Sequence, residues 1–281
     1  MNRCRAAYLG PPGTFSHEAA VLAFQPGCEL VPGATADEVI RLYRQGAADR
    51  AIVAVDSSIG GTVGANLDAI ARLDRVWISG EILLPVHHQL AARPPAGIPA
   101  IRTVLAHPKA FEECARWLAR NLPDAARIAV PSSAAAAARA EADRTGAAAA
   151  IVSRTAADLY RMKILAADIE SSPLNTTRFW ILGTETPPPT GRDNTILLVG
   201  EKLNAALAGL LNAQIRIRSI YERPCGGRIE ERLYFLEMEG HGCTPPLSPL
   251  LPQLAQGRWL GSYPVPETGF INPAAASTGC C

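Results

Sequence analysis

Short, uniformly apolar runs, each set off by turn residues and followed by a helix-length segment, constrain this chain more than any other feature. Residues 51–55 read A-I-V-A-V and residues 148–152 read A-A-A-I-V. Runs this short and this apolar suit strands buried on both faces of a sheet. Similar runs occupy residues 6–10, 103–106, 164–167 and 178–182, and an alternating stretch at 82–92 predicts one more strand. Between them the spacing predicts helices over 16–24, 36–45, 63–73 and 109–122, and a long Ala-rich helix after Ser132-Ser133. Strands alternating with helices predict a largely parallel α/β sheet covered on both sides.

The pattern breaks where three prolines, Pro187 to Pro189, interrupt a stretch with little to pack. Residues 184–193 therefore read as a stiff linker. Beyond it the order is strand (195–199), helix (204–211), strand (215–221), strand (233–239), helix (249–255) and a terminal W-L-G-S-Y. That βαββαβ order is the ferredoxin-like split pattern. The 281 residues thus divide into a first region over 1–183, the linker, a second unit over 194–270 and a tail over 271–281.

Composition removes several function classes. A net charge of +1 gives no general nucleic-acid surface, so any anion binding must be local. Hydrophobic residues at 48% against 19% charged describe a folded globular chain. No apolar run approaches the roughly 20 residues of a membrane span, and the first residues lack an apolar leader. The seven cysteines are odd in number and form no C-x-x-C pair. They predict neither a disulfide framework nor a zinc site, and a reducing, cytoplasmic setting. Cys280-Cys281 reads as part of a frayed end.

Three segments can cradle an anion: Gly10 to Ser16, Asp56 to Thr62, and Ser132-Ser133. Each precedes a helix, whose first N–H groups are unpaired and carry partial positive charge. Each also reads as an ordinary helix cap; their coincidence in one region raises the functional reading. Thr177-Arg178-Phe179 adds a hydroxyl, a fixed cation and an aromatic ring at the start of a strand. His87 and His88 fall on a strand and should point to opposite faces, which disfavours a joint metal site. His107 before Pro108 reads as a loop-holding residue and His241 as a turn residue. No H-E-x-x-H, phosphate loop or dinucleotide fingerprint occurs, so no metal or cofactor is expected.

Y-L-G-P-P-G-T-F-S-H-E-A-A, V-D-S-S-I-G-G-T-V-G-A-N-L-D, H-P-K-A-F-E-E-C and N-T-T-R-F-W-I-L resemble, in order, the motifs of the prephenate dehydratase family. E-R-P, E-G-H and L-G-S-Y-P resemble its C-terminal regulatory ACT domain. The resemblance implies two lobes arranged as in type II periplasmic binding proteins, with a small-molecule substrate in the cleft. It implies homodimers or homotetramers; charge and hydropathy already predict no nucleic-acid or membrane partner. It assigns catalysis to Thr177, with Arg178 and Ser58, and substrate contacts to Thr14, Ser57, Phe179, Ser132, Ser133, Lys109 and Glu113.

The chain departs from the family's P-I-E-N-S-x-E-G at Ser57 and Gly60. It departs from S-H-P-Q…Q-C at Ala106, Lys109 and Glu113. These exchanges trade neutral donors for a cation and an anion, so an arogenate-type dehydratase or a non-aromatising prephenate decarboxylase stays open beside the dehydratase. A ligand-binding protein that kept the cleft without turnover is a third reading. The family's G-A-L effector motif appears as Ala205-Ala206-Leu207, and its E-S-R-P as Tyr221-Glu222-Arg223-Pro224. The larger side chains predict weak feedback by phenylalanine.

Overall fold

The computed structural model describes residues 4–254 and 257–266. The expected tail, with Cys280-Cys281, lies outside the described residues. The first lobe opens with β1 (Cys4–Leu9), α1 (Phe15–Phe24), β2 (Cys28–Gly33), α2 (Ala36–Arg44), β3 (Arg50–Ser57), α3 (Gly64–Ala71) and β4 (Trp77–Pro85). The chain then crosses into a second lobe at residues 86–88. There it forms β5 (Gln89–Ala92), β6 (Thr103–Ala106), α4 (Pro108–Glu113), α5 (Ala115–Asn121) and β7 (Ala126–Ala129). The lobe is completed by α6 (Ser133–Glu141), β8 (Ala148–Val152), α7 (Arg154–Leu159) and β9 (Lys163–Ala166). A second crossover leads back to β10 (Thr176–Gly183), which inserts between β3 and β4.

Both sheets are mixed rather than largely parallel. Helical crossovers keep β2, β1 and β3 parallel in one lobe and β7, β6 and β8 parallel in the other. β10 and β5, arriving from the opposite lobe, carry no such constraint and pair antiparallel. The same crossing divides the single strand expected over 82–92 into β4 and β5, which lie in different sheets. The helix expected over 109–122 likewise breaks at Cys114, which leaves helical geometry at φ −100° and ψ 8°. Thr14, Thr35, Ser132 and Ser153 cap their helices with side-chain oxygens that accept backbone N–H groups.

The C-terminal unit comprises β11 (Asp193–Val199), α8 (Leu203–Asn212), β12 (Ile217–Pro224), β13 (Arg232–Glu239), α9 (Leu247–Leu250) and β14 (Arg258–Pro264). Its sheet runs β12-β13-β11-β14, as a βαββαβ order requires. The second helix is shorter than expected, because Pro252 has no N–H to continue it.

The stretch read as a stiff linker is tied down. Pro187 C=O meets Nε2 of His241 at 2.9 Å, and Thr186 Oγ1 accepts from the backbone of Ser262 at 3.2 Å. One hydrophobic cluster joins Val53, Trp180 and Leu182 of the first lobe to Ile196, Tyr221, Phe235 and Tyr263 of the C-terminal unit. At Gly261, where φ is +127°, a Cβ would stand 2.5 Å from the carbonyl oxygen of Ile78. Only glycine allows β14 this close to β4.

Cys4 and Cys28 face each other in the parallel register of β1 and β2, with Cα atoms 4.5 Å apart, and form a disulfide. This overturns the expectation of unpaired cysteines. Count and spacing do not reveal that two strand starts 24 residues apart lie side by side. Among the described residues no helix is long and apolar enough to cross a membrane.

Candidate active site

A cavity of about 240 Å³ lies between the two lobes. Thr14, Phe15 and Ser16 line it from the start of α1, and Pro131, Ser132 and Ser133 from the start of α6. Thr14 Oγ1 accepts from the His17 N–H at 3.1 Å and donates to Leu9 C=O at 3.0 Å. Ser133 Oγ donates to Gly13 C=O at 3.2 Å and so links the lobes. Two helix N-termini, one from each lobe, thereby face one space, an arrangement that favours an anion.

The charged wall comes from α4. The Glu113 side chain is 8% exposed, and Lys109 Nζ lies 3.8 Å from its Oε1. Glu113 Oε2 accepts from Asn175 Nδ2 at 3.0 Å and lies 2.6 Å from His88 Nε2. A Cβ on residue 60 would stand 2.4 Å from Lys109 Nζ. The lysine thus uses room that exists because Gly60 has no side chain, so these two departures from the family pattern are one spatial exchange.

Thr177 lines the cavity from the start of β10. Its neighbours do not, because successive residues of a strand face opposite ways. Arg178 turns to the far side of the sheet. There Nε donates to Glu81 Oε2 at 2.6 Å, Nη1 to Glu237 Oε2 at 2.6 Å and to the Tyr221 hydroxyl at 3.0 Å, and Nη2 to the Tyr263 hydroxyl at 3.0 Å. Burial raises the Glu81 carboxyl above its ordinary value. Burial acts the same way on Glu237, but hydrogen bonds from Arg178 and its charge outweigh it and lower that group. The catalytic role expected of Arg178 gives way to a bracing one, at the joint between β4, β10 and the C-terminal unit. Phe179, expected to wall the cavity, is 1% exposed and packs in the core beneath α1 with Tyr8, Ala20 and Ile82.

The two serines of the second cradle shape a turn instead of the cavity wall. Ser57 Oγ accepts from the Gly60 N–H at 3.1 Å. Ser58 Oγ donates to Leu174 C=O and accepts from the Thr176 N–H, both at 2.9 Å, fixing the entry to β10. The cavity therefore gathers Thr14, Lys109, Glu113, Ser132, Ser133 and Thr177, and leaves out Ser57, Ser58, Arg178 and Phe179.

His88, Asn175 and Val86 also line the wall, with Ala110 and Ile151, and none of them is a site residue by the sequence motifs alone. His107 caps α4, its Nδ1 accepting from the Lys109 N–H at 3.2 Å, and also borders the cavity. His87 faces outward, with Nδ1 2.8 Å from Glu170 and 3.8 Å from Asp168. Among the described residues this trio alone has metal-ligand spacing. It lies off the cavity wall, and its histidine is already hydrogen bonded.

The expected effector residues do not converge. Ala206 is buried in the C-terminal core, Leu207 packs against it, and Ala205 and Pro224 are exposed. Glu222 accepts from Arg232 Nε at 2.8 Å. Arg223 grips Asp68 of α3 with two hydrogen bonds, of 2.7 and 2.9 Å. Those hydrogen bonds hold the Asp68 carboxyl below its ordinary value. A lowered carboxyl contributes stability above its unfolded value and loses it as pH falls. Asp68→Asn should therefore flatten the acid arm of a melting-temperature profile below about pH 4, by less than about 1 kcal/mol because the pair is partly solvated. An unchanged acid arm would show that the pair adds nothing.

A family model for prephenate dehydratase matches residues 6–187. The prephenate dehydratase of Mycolicibacterium vanbaalenii is 36% identical over 296 residues, covering 96% of this chain and 93% of its own. The structure of prephenate dehydratase from Arthrobacter aurescens, solved in complex with L-Phe, superposes with a TM-score of 0.85 at 28% identity, covering 96% of this chain and 95% of that one. GqqA, described as a novel type of quorum quenching acylase, superposes with a TM-score of 0.81 at 27% identity, covering 93% and 98%. The motifs, the two-lobed cleft with Thr177 on its wall, the family match over more than half the length and the relative above 30% identity agree: the chain belongs to the prephenate dehydratase family.

Proposed function

We propose that the chain catalyses the decarboxylating dehydration of prephenate to phenylpyruvate, a carbon–oxygen lyase step of aromatic amino-acid biosynthesis, in the cytoplasm and without a cofactor. Prephenate carries two carboxylates and a ring hydroxyl. Losing water and carbon dioxide together makes the ring aromatic, so the reaction needs anion binding and a proton rather than an electron sink. One observation carries this reading: Thr177, two opposed helix N-termini and Lys109 face a single cavity. The helix N-termini and Lys109 receive the carboxylates, and the Thr177 hydroxyl donates to the departing oxygen.

Lys109 favours prephenate over arogenate, whose ammonium group it would repel. Lys109→Gln should raise KM for prephenate by roughly tenfold or more with a smaller change in kcat, the loss of a charge-assisted hydrogen bond. Steady-state kinetics with both substrates checks this; an unchanged KM would remove Lys109 from the site.

The reaction itself is tested by incubating purified protein with prephenate and identifying the product. An aromatic keto acid supports the dehydratase. A non-aromatic product with carbon dioxide would make the chain a decarboxylase, and bound but unchanged prephenate a ligand-binding homologue.

The C-terminal unit serves as an ACT domain, kept as an assembly surface for a homodimer or homotetramer. Arg223 is engaged by Asp68, and Tyr221 packs its ring on Trp180 and accepts from Arg178 with its hydroxyl, which supports a weak response to phenylalanine. Titrating phenylalanine into the assay should give little inhibition; tight, saturable inhibition would reverse this reading.

A further inference from the structure

We propose that His88, held by Glu113, is the acid that protonates the departing hydroxyl; this rests on the prephenate reading above. A threonine hydroxyl is too weak an acid to give up a whole proton at neutral pH, so Thr177 can hydrogen-bond the leaving oxygen but not convert it to water. The cavity wall holds a second group suited to that task. His88 is 3% exposed and borders the cavity beside Phe15, Glu113, Asn175 and Thr177. Its Nε2 lies 2.6 Å from Glu113 Oε2, while its Nδ1 is buried with no hydrogen-bond partner in the protein.

The residue is held at its backbone and on one side of its ring. Its backbone N–H donates to Glu170 Oε2 at 2.8 Å, and its carbonyl accepts from the Ile169 N–H at 2.9 Å, where the two crossovers meet. Phe15 packs edge-on at 5.4 Å between ring centroids. Glu113 is itself oriented by Asn175. A histidine kept only to satisfy Glu113 would ordinarily give its second nitrogen a partner too, from the protein or from water. Here a carboxylate orients one nitrogen and the other, enclosed in this structure, has no protein partner; once prephenate parts the wall beside it, the pair stands in the relation that serves proton transfer in catalytic triads.

The step balances. The bond from the ring to the departing carboxylate breaks and its electron pair enters the ring. The carbon–oxygen bond breaks with its pair going to oxygen. That oxygen takes the Nδ1 proton of the imidazolium and leaves as water, stabilised by the Thr177 hydroxyl. Prephenate dianion plus one proton gives phenylpyruvate anion, carbon dioxide and water, and His88 regains its proton from solvent.

The test measures kcat and KM for prephenate in the parent protein, His88→Ala and His88→Gln, with and without added imidazole. The parent comes first: no turnover there ends the prephenate reading itself. Given an active parent, His88→Ala should lose about 10²-fold or more in kcat, with KM little changed. Imidazole should restore part of that loss by entering the space beside the cavity. A kcat near the parent's, or a loss that imidazole leaves untouched in a folded protein, overturns the proposal. Should the alanine variant fail to fold, His88→Gln, which can still bond Glu113, decides. A comparable loss in kcat with a native circular-dichroism spectrum upholds the assignment, and near-parent turnover ends it. Glu113→Gln added to His88→Gln should cost little more, since Glu113 acts through the ring; an independent, additive loss would deny it that positioning role.

Discussion

Thr177→Val should lower kcat for prephenate by about 10²–10³-fold, the usual cost of removing one donor from developing charge, while the melting temperature moves by only a few degrees. Valine keeps the shape and β-branching of threonine, which suit a central strand. Residue 177 stays paired with Ser57 on one side and Leu84 on the other. Only the donor at the cavity wall is lost. Because that donor acts on the oxygen as it leaves, the loss belongs in kcat rather than KM. Steady-state kinetics beside a thermal melt separates the two, and near-parent turnover would take Thr177 out of the reaction.

One residue further along, the expected result is the reverse. Arg178→Met should destabilise the fold by about 3–5 kcal/mol, because removing one partner of a buried ion pair leaves uncompensated charge. The Glu237 side chain is 1% exposed and that of Glu81 5%, and neither has water to fall back on. The Tyr221 hydroxyl loses its partner as well, and that of Tyr263 keeps only its bond to Glu237. The melting temperature should drop by roughly 10 °C for a chain of this size. Changing Glu81 and Glu237 to Gln together with Arg178→Met removes the stranded charges and should recover much of the loss. Thermal or denaturant unfolding measures both effects. An Arg178→Met protein as stable as the parent would show that the joint does not hold the C-terminal unit against the catalytic lobe.

The opposite fates of residues 177 and 178 show what could be read from sequence. The strand itself was legible, since T-R-F-W-I-L is apolar and β-rich and ends in glycine. The helix caps at Thr14 and Ser132 were legible too, because a hydroxyl before a helix has a local signature. Which face of β10 meets the cleft was partly legible: alternation alone forbids Thr177 and Arg178 from sharing a pocket. His87 and His88 do diverge, toward Glu170 and Glu113, but they lie in the crossover between β4 and β5 and not on a strand, so alternation is not the cause. What the partner of Arg178 is could not be read, because Glu81 and Glu237 lie 97 and 59 residues away.

Mixed sheets, the split of β4 from β5 and the Cys4–Cys28 disulfide share that cause. The first two depend on where the chain goes after leaving a lobe and the disulfide on which strands pair within one, and local periodicity encodes neither. His88 escaped notice for a related reason. In sequence it is half of a histidine pair on an alternating strand; its significance comes from Glu113, a residue on another element that reaches back to its ring.

The central claim is that one interlobe cavity grips a cyclic dicarboxylate with its departing hydroxyl against β10. A crystal structure of the Thr177→Val protein with prephenate bound tests it most directly. The account predicts the ring between the lobes, a carboxylate at the N-termini of α1 and α6, and the departing hydroxyl facing residue 177 and His88. Prephenate bound outside that cavity, or lying within it with the hydroxyl turned away from β10, would contradict the account.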